Sequence, residues 1–177
     1  MNLYFVRHGS AGNPKPQPQE DAARGLDREG RQQCEVIGKL LVALGIRFDK
    51  IVSSPLRRAS ESAAIIARQT RYQGRIALAP ELRPDGAYER FLELLSDMPS
   101  GDSVLLVGHN SKLAEFIGKL ISNSSGRAGI HLKDGTVVKV IKRSTGAATL
   151  QWCLTQNLLR AYLAEQNSGT PRARGLR

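Results

Sequence analysis

Cysteine, histidine and aromatic side chains are scarce in this chain, and each scarcity excludes something. Two cysteines and three histidines stand in 177 residues, far apart and without clustered carboxylates, so the pattern holds no metal-ligand spacing and implies no metal and no cofactor. Cys34 and Cys153 both sit inside apolar patterns and read as buried free thiols of a reducing compartment. Aromatics are 5% of the residues, and no basic helix with interleaved aromatics occurs, which argues against nucleic acid. No apolar run approaches the roughly 18 residues of a membrane span. The start MNLYFVRHG has no basic segment leading into a long apolar stretch. A cytoplasmic protein without membrane contact is expected, in which the sequon Asn123-Ser124-Ser125 carries no glycan.

Positive charge and ordinary apolar content are what the chain has. Apolar residues make up 41%, so a packed core is expected rather than disorder. The formal net charge is +10. Arg172, Arg174 and Arg177 against Glu165 put +2 of that in the last 13 residues and leave +8 in the body. A basic body favours anionic partners such as phosphate groups or acidic proteins. Residues 1–164 read as one domain, of monomeric habit, and 165–177 as a flexible basic tail.

Strands are expected at 3–6 (LYFV), 48–54, 76–78, 103–109 (SVLLVGH), 136–141 and 148–154. Between them, Asp27 can cap a helix carrying Val36, Ile37, Leu40, Leu41 and Leu44 on one face, which Gly45 ends. Further helices are expected at 59–67, 88–95, 113–120 and 157–164. The stretch 11–25, rich in Pro, Gly and Gln, reads as loop, and Lys133-Asp134-Gly135 as a tight turn. Strands alternating with helices indicate a three-layer α/β/α fold. Its sheet would be mostly parallel, with an antiparallel C-terminal edge.

Ligands of such sheets bind beyond the carboxyl ends of the strands. There the sequence places Arg7-His8-Gly9, then Ser54-Pro55-Leu56-Arg57-Arg58-Ala59, then Gly108-His109. These three segments, in this order, resemble the histidine phosphatase (phosphoglycerate mutase-like) superfamily. The absence of a large helical insert between Arg58 and His109 resembles its compact phosphohistidine phosphatase branch, the SixA type. Gly25-Leu26 before a helix with Gly30, Pro80-Glu81-Leu82 with Pro84 and Gly86, and Trp152 before Leu154-Thr155 extend the likeness to about Leu159.

The resemblance implies a covalent mechanism. His8 would be the nucleophile, one ring nitrogen bare and the other donating to a nearby backbone carbonyl. Arg7 and Arg58 would clamp phosphate oxygens, with His109, largely cationic beside a dianion, donating to another. Gly9 and Ser10 would border the phosphate. Arg58, directly before alanine, matches the family arginine, and Arg57 would face solvent. Ser54 and Pro55 read as turn residues, and His131 as structural. The general acid has three candidates, Glu81, Asp85 and Asp21, none singled out. Ser10, Asp27 and Gln156 depart from residues common in the family. The expected substrate is phosphohistidine in a protein of the phosphorelay type. The alternatives are a broad phosphomonoesterase for small molecules and, from another class, a non-catalytic anion-binding protein.

Overall fold

The computed structural model of the protein describes residues 1–122 and 129–167. The Asn123 sequon and residues 168–177 of the expected tail lie outside them. Six strands, β1 (Asn2–Arg7), β2 (Lys50–Ser53), β3 (Ile76–Leu78), β4 (Ser103–Gly108), β5 (Val137–Ile141) and β6 (Thr149–Leu154), form one sheet in the order β3-β2-β4-β1-β5-β6. The first four are mutually parallel. β5 runs antiparallel to β1, and β6 antiparallel to β5. Six helices accompany them: α1 (Pro18–Ala23), α2 (Arg28–Ala43), α3 (Arg57–Gln69), α4 (Tyr88–Ser96), α5 (Lys112–Ile121) and α6 (Gln156–Asn167).

The solid apolar runs of β1 and β4 are explained by burial on both faces. Because successive side chains alternate across a strand, Leu3 and Phe5 join Val104, Leu106, Phe91 and Phe116 in one core under α4 and α5. Tyr4 and Val6 join Leu105, Val107, Ile37 and Ile66 in a second core under α2 and α3. The register sets Arg7 beside Gly108. The residues after β1 and β4 therefore leave the sheet side by side at one rim.

Three expectations are corrected. The stretch 11–25 is not all loop: Pro18 starts α1 at a position where its missing N–H costs nothing, and Glu20 and Asp21 sit in the favourable first turn. Cys153 is exposed, while Cys34 is buried as expected. The reason is topological: β6 is an edge strand, and its Trp152 and Leu154 pack on the second core while Cys153 faces out. α6 runs to Asn167, past the expected limit at 164.

Helix α2 approaches the loop after β1 at a glycine–glycine contact. Asp27 caps α2 by accepting from Gly30 N–H at 2.8 Å. A Cβ on Gly30 would come within 2.0 Å of Ser10 O, and one on Gly9 within 2.5 Å of Gly30 O. Backbone atoms cannot retreat as a flexible side chain could. Gly30→Ala is therefore expected to cost about 1–3 kcal/mol in urea unfolding, and wild-type stability in that variant would disprove the contact.

Candidate active site

His8 follows β1 and is 8% exposed as a residue. Its Nδ1 lies 2.7 Å from the carbonyl oxygen of Gly9. A carbonyl only accepts, so Nδ1 carries the proton and Nε2 keeps its lone pair. That nitrogen receives the Nε–H of Arg58 at 3.3 Å. The Gly9 N–H in turn donates to Ser62 Oγ, and Ser62 donates to the Arg58 carbonyl. Helix α3 thus holds both the loop and the arginine that faces it.

His109, 2% exposed, follows β4 and meets His8 edge to face, with ring centroids 4.9 Å apart. Its Nε2 lies 2.9 Å from Ser54 Oγ, and its Nδ1 is buried without a partner. Arg58 is 5% exposed and turned inward, while Arg57 is 61% exposed in its side chain and pairs with Glu61. Of the pair, Arg58 is the one that faces the histidines and Arg57 the one that faces outward. Arg7 gives Nη1 to Leu132 O at 2.5 Å and pairs through Nη2 with Asp134 at 2.6 Å. Its Nε is buried and unpartnered, which leaves one donor uncommitted beside the histidines.

Residues 3–84 match the family model for the histidine phosphatase superfamily (branch 1). An uncharacterized protein of Picosynechococcus sp. is 31% identical over 157 residues, covering 85% of this chain and 89% of its own length. The chain belongs to the histidine phosphatase superfamily. Its fold is that of the protein histidine phosphatase SixA solved with tungstate (TM-score 0.75, 20% identity, 88% of this chain and 97% of that one). A structure described as a putative alpha-ribazole-5'-P phosphatase from Escherichia coli is also similar (TM-score 0.67, 20% identity, 88% and 97%).

The structure separates the family-derived candidates. Arg7, His8, Arg58 and His109 come together. Asp21 reaches them from α1: its carboxylate takes Arg24 Nε at 2.8 Å and pairs with Arg58 Nη1 at 3.3 Å, while its carbonyl accepts from the same Nη1 at 2.8 Å. The bond from Arg24, with one from the Lys15 N–H, draws its pKa down to about 2. At neutral pH it carries no proton to give. Asp85 is exposed and held low by the Arg83 hydrogen bond, and Glu81 is half-buried on the 3-10 turn Pro80–Leu82. Ser10 borders the loop, but its hydroxyl donates to Asp27 at 2.6 Å, away from the histidines. His131 is exposed, outside the cluster. Among the described residues no group of three His, Cys, Asp or Glu side chains stands close enough to hold a metal ion, and no helix is long and apolar enough to cross a membrane.

Three residues escaped sequence reasoning. Ser54 touches His109 directly. Arg24 acts on the charge of His8 and Arg58, and Arg83 on that of His109. Arg24 adjoins the Gly25-Leu26 match, the one signal that marked it. Ser54 stands in the rim segment but reads there as a turn residue, and nothing in the sequence placed Arg83.

Burial first, and the charges of Arg58, Arg7 and Arg24 next, outweigh the Gly9 hydrogen bond and pull the His8 pKa down from 6.5 to about 4. Burial, then His8 and the arginines, also lower that of His109. The expected cationic His109 belongs to the state with a dianion bound; in the free protein burial, then His8 and the arginines, favour the neutral ring. Only an arriving dianion reverses that balance. The sign for stability follows. Between pH 6.5 and about 4 the unfolded chain binds protons that His8 in the native state does not, so stability falls as pH falls through that window. Urea unfolding from pH 7 to 4.5 is expected to show this loss, reduced in His8→Gln. Nitrogen-15 NMR is expected to show a neutral His8 ring at pH 5, and a ring titrating near 6.5 would contradict the site.

Proposed function

We propose that the protein is a phosphatase that forms a covalent phosphohistidine on His8 and removes phosphate from phosphohistidine in a protein substrate. The observation that carries this is the bare Nε2, fixed by the Nδ1–H···O=C bond to Gly9 and facing Arg58. The lone pair of Nε2 attacks phosphorus, the substrate P–N bond breaks, and the leaving imidazole nitrogen takes a proton from water. Water then attacks the enzyme's P–N bond and releases inorganic phosphate. Arg58 and the uncommitted Nε of Arg7 bind the equatorial oxygens as charge spreads onto them. The Ser54 oxygen already accepts from Leu56 N–H, leaving its proton free for His109 Nε2. In that neutral tautomer Nδ1–H points a donor at phosphate.

The substrate class is supported by the state of the carboxylates. An alkoxide leaves poorly and needs a strong acid beside it. Asp21 is ionised and tied to two arginines, Asp85 is exposed and paired with Arg83, and Glu81 is half-buried on its 3-10 turn. Transfer from a substrate imidazole to His8 exchanges one P–N bond for another and needs little acid. The basic body suits an acidic partner domain. A broad phosphomonoesterase acting on small molecules is the second reading, supported by a fold shared with the ribazole phosphate phosphatase structure. Soluble cytoplasmic action is part of the first proposal.

Phosphatase assays without added metal, on a phosphohistidine protein, an aryl phosphate and phosphoserine, test both. Wild type is expected to prefer the phosphohistidine protein, and His8→Ala to lose roughly 10³-fold or more on every substrate. Activity retained in His8→Ala would remove the covalent reading. Equal turnover of phosphoserine, lost in Asp21→Asn, Glu81→Gln or Asp85→Asn, would transfer the case to the second.

A further inference from the structure

The loop that carries His8 is held by more than its own strand. Its backbone offers two carbonyls, of Arg7 and His8, and the N–H of Ser10. Both carbonyls accept from the single N–H of Gly135, each at 3.2 Å. Gly135 belongs to the turn after Leu132, the same turn whose Leu132 carbonyl and Asp134 carboxylate hold the Arg7 guanidinium. This one turn therefore sets both the main chain at His8 and the direction of Arg7.

What holds the turn is Gln156, the first residue of α6. Its Nε2 donates to Gly135 O at 2.7 Å and reaches Gln33 O at 3.5 Å. Gly135 has φ +66°, and a Cβ there would lie 2.6 Å from that nitrogen, so the amide is seated directly against the turn. Gln33 closes the other side: its Oε1 accepts from Ser10 N–H at 2.9 Å. Its own amide donates to Glu29, which also binds Arg160 of α6 at 2.7 Å. Both glutamines are buried. A buried amide is costly unless paired; Gln33 is paired through both its oxygen and its nitrogen, and Gln156 through its nitrogen alone, its Oε1 being buried without a partner.

We propose that Gln156 and Gln33 are positioning residues for His8 and Arg7, so that docking of the C-terminal helix sets the geometry of the nucleophile. Neither touches the phosphoryl group. They act through Gly135 and Ser10 on the backbone whose Gly9 carbonyl selects the His8 tautomer. The proposal rests on His8 being the nucleophile. A misplacement near 1 Å at a reacting atom lowers rate far more than binding.

The test compares wild type, His8→Ala, Gln156→Met and Gln33→Met, with kcat, KM, thermal midpoint and the imidazole nitrogen-15 spectrum of His8. In Gln156→Met, folded at the assay temperature, kcat is expected to fall about 10- to 100-fold with KM within about threefold. The His8 spectrum is expected to change from the pure Nδ1–H form to a mixture. Wild-type kcat with a pure Nδ1–H spectrum overturns the proposal, as does a rise in KM alone. Should Gln156→Met not fold, Gln33→Met, which removes the acceptor for Ser10 and the donor to Glu29 but leaves Gln156 on Gly135, is read by the same two measurements. Unchanged kcat and tautomer there overturn the proposal. Activity in His8→Ala removes the nucleophile itself, whereas an inactive His8→Ala beside a normal Gln156→Met removes only the positioning role.

Discussion

The hydrogen bond from His8 Nδ1 to the Gly9 carbonyl is the interaction on which the site depends. It chooses which ring nitrogen is bare. It exists only because the chain turns at Gly9, and that turn exists only where α2 presents Gly30 to it without a side chain. The capping of α2 by Asp27, the Ser10 hydroxyl on the same carboxylate and the Ser62 contact to Gly9 all fix one short loop. Tautomer choice in the nucleophile is thus a packing property of two helices.

Charge is the second constraint. Four arginines, Arg7, Arg24, Arg58 and Arg83, act on the two histidines. In the free protein three aspartates answer them: Asp134 for Arg7, Asp21 for Arg24 and Arg58, Asp85 for Arg83. A phosphate dianion entering this cluster competes with carboxylates already in place. Asp21 is thereby held ionised, which explains why, though it reaches the site, it is a poor proton donor.

Much of the architecture was legible in the chain because its physics is local. The apolar runs of β1 and β4 announce strands buried on both faces, and Asp27 announces a helix start. The loop reading of residues 11–25 failed because Pro and Gln suggested coil, while Pro at a helix start is also a start signal. Cys153 failed because apolar neighbours mark a strand without saying whether that strand is central or at the edge.

The family resemblance pointed to Arg58 of the arginine pair, and by itself the sequence determined the types of group at the rim: two histidines and an arginine pair, each at a strand end. Spacing along the chain controls these, since strand periodicity delivers side chains to a known face. Only the tertiary structure decided their states and supports. It set the proton on Nδ1 of His8, the loss of charge on His109 through burial, the ionisation of Asp21 by Arg24, and the link from Gln156 through Gly135 to the nucleophile loop. The His8 bond joins neighbours in sequence, but the turn that makes it and the other features depend on groups 3 to more than 100 residues apart meeting within hydrogen-bond reach or shedding water together. No local pattern encodes that.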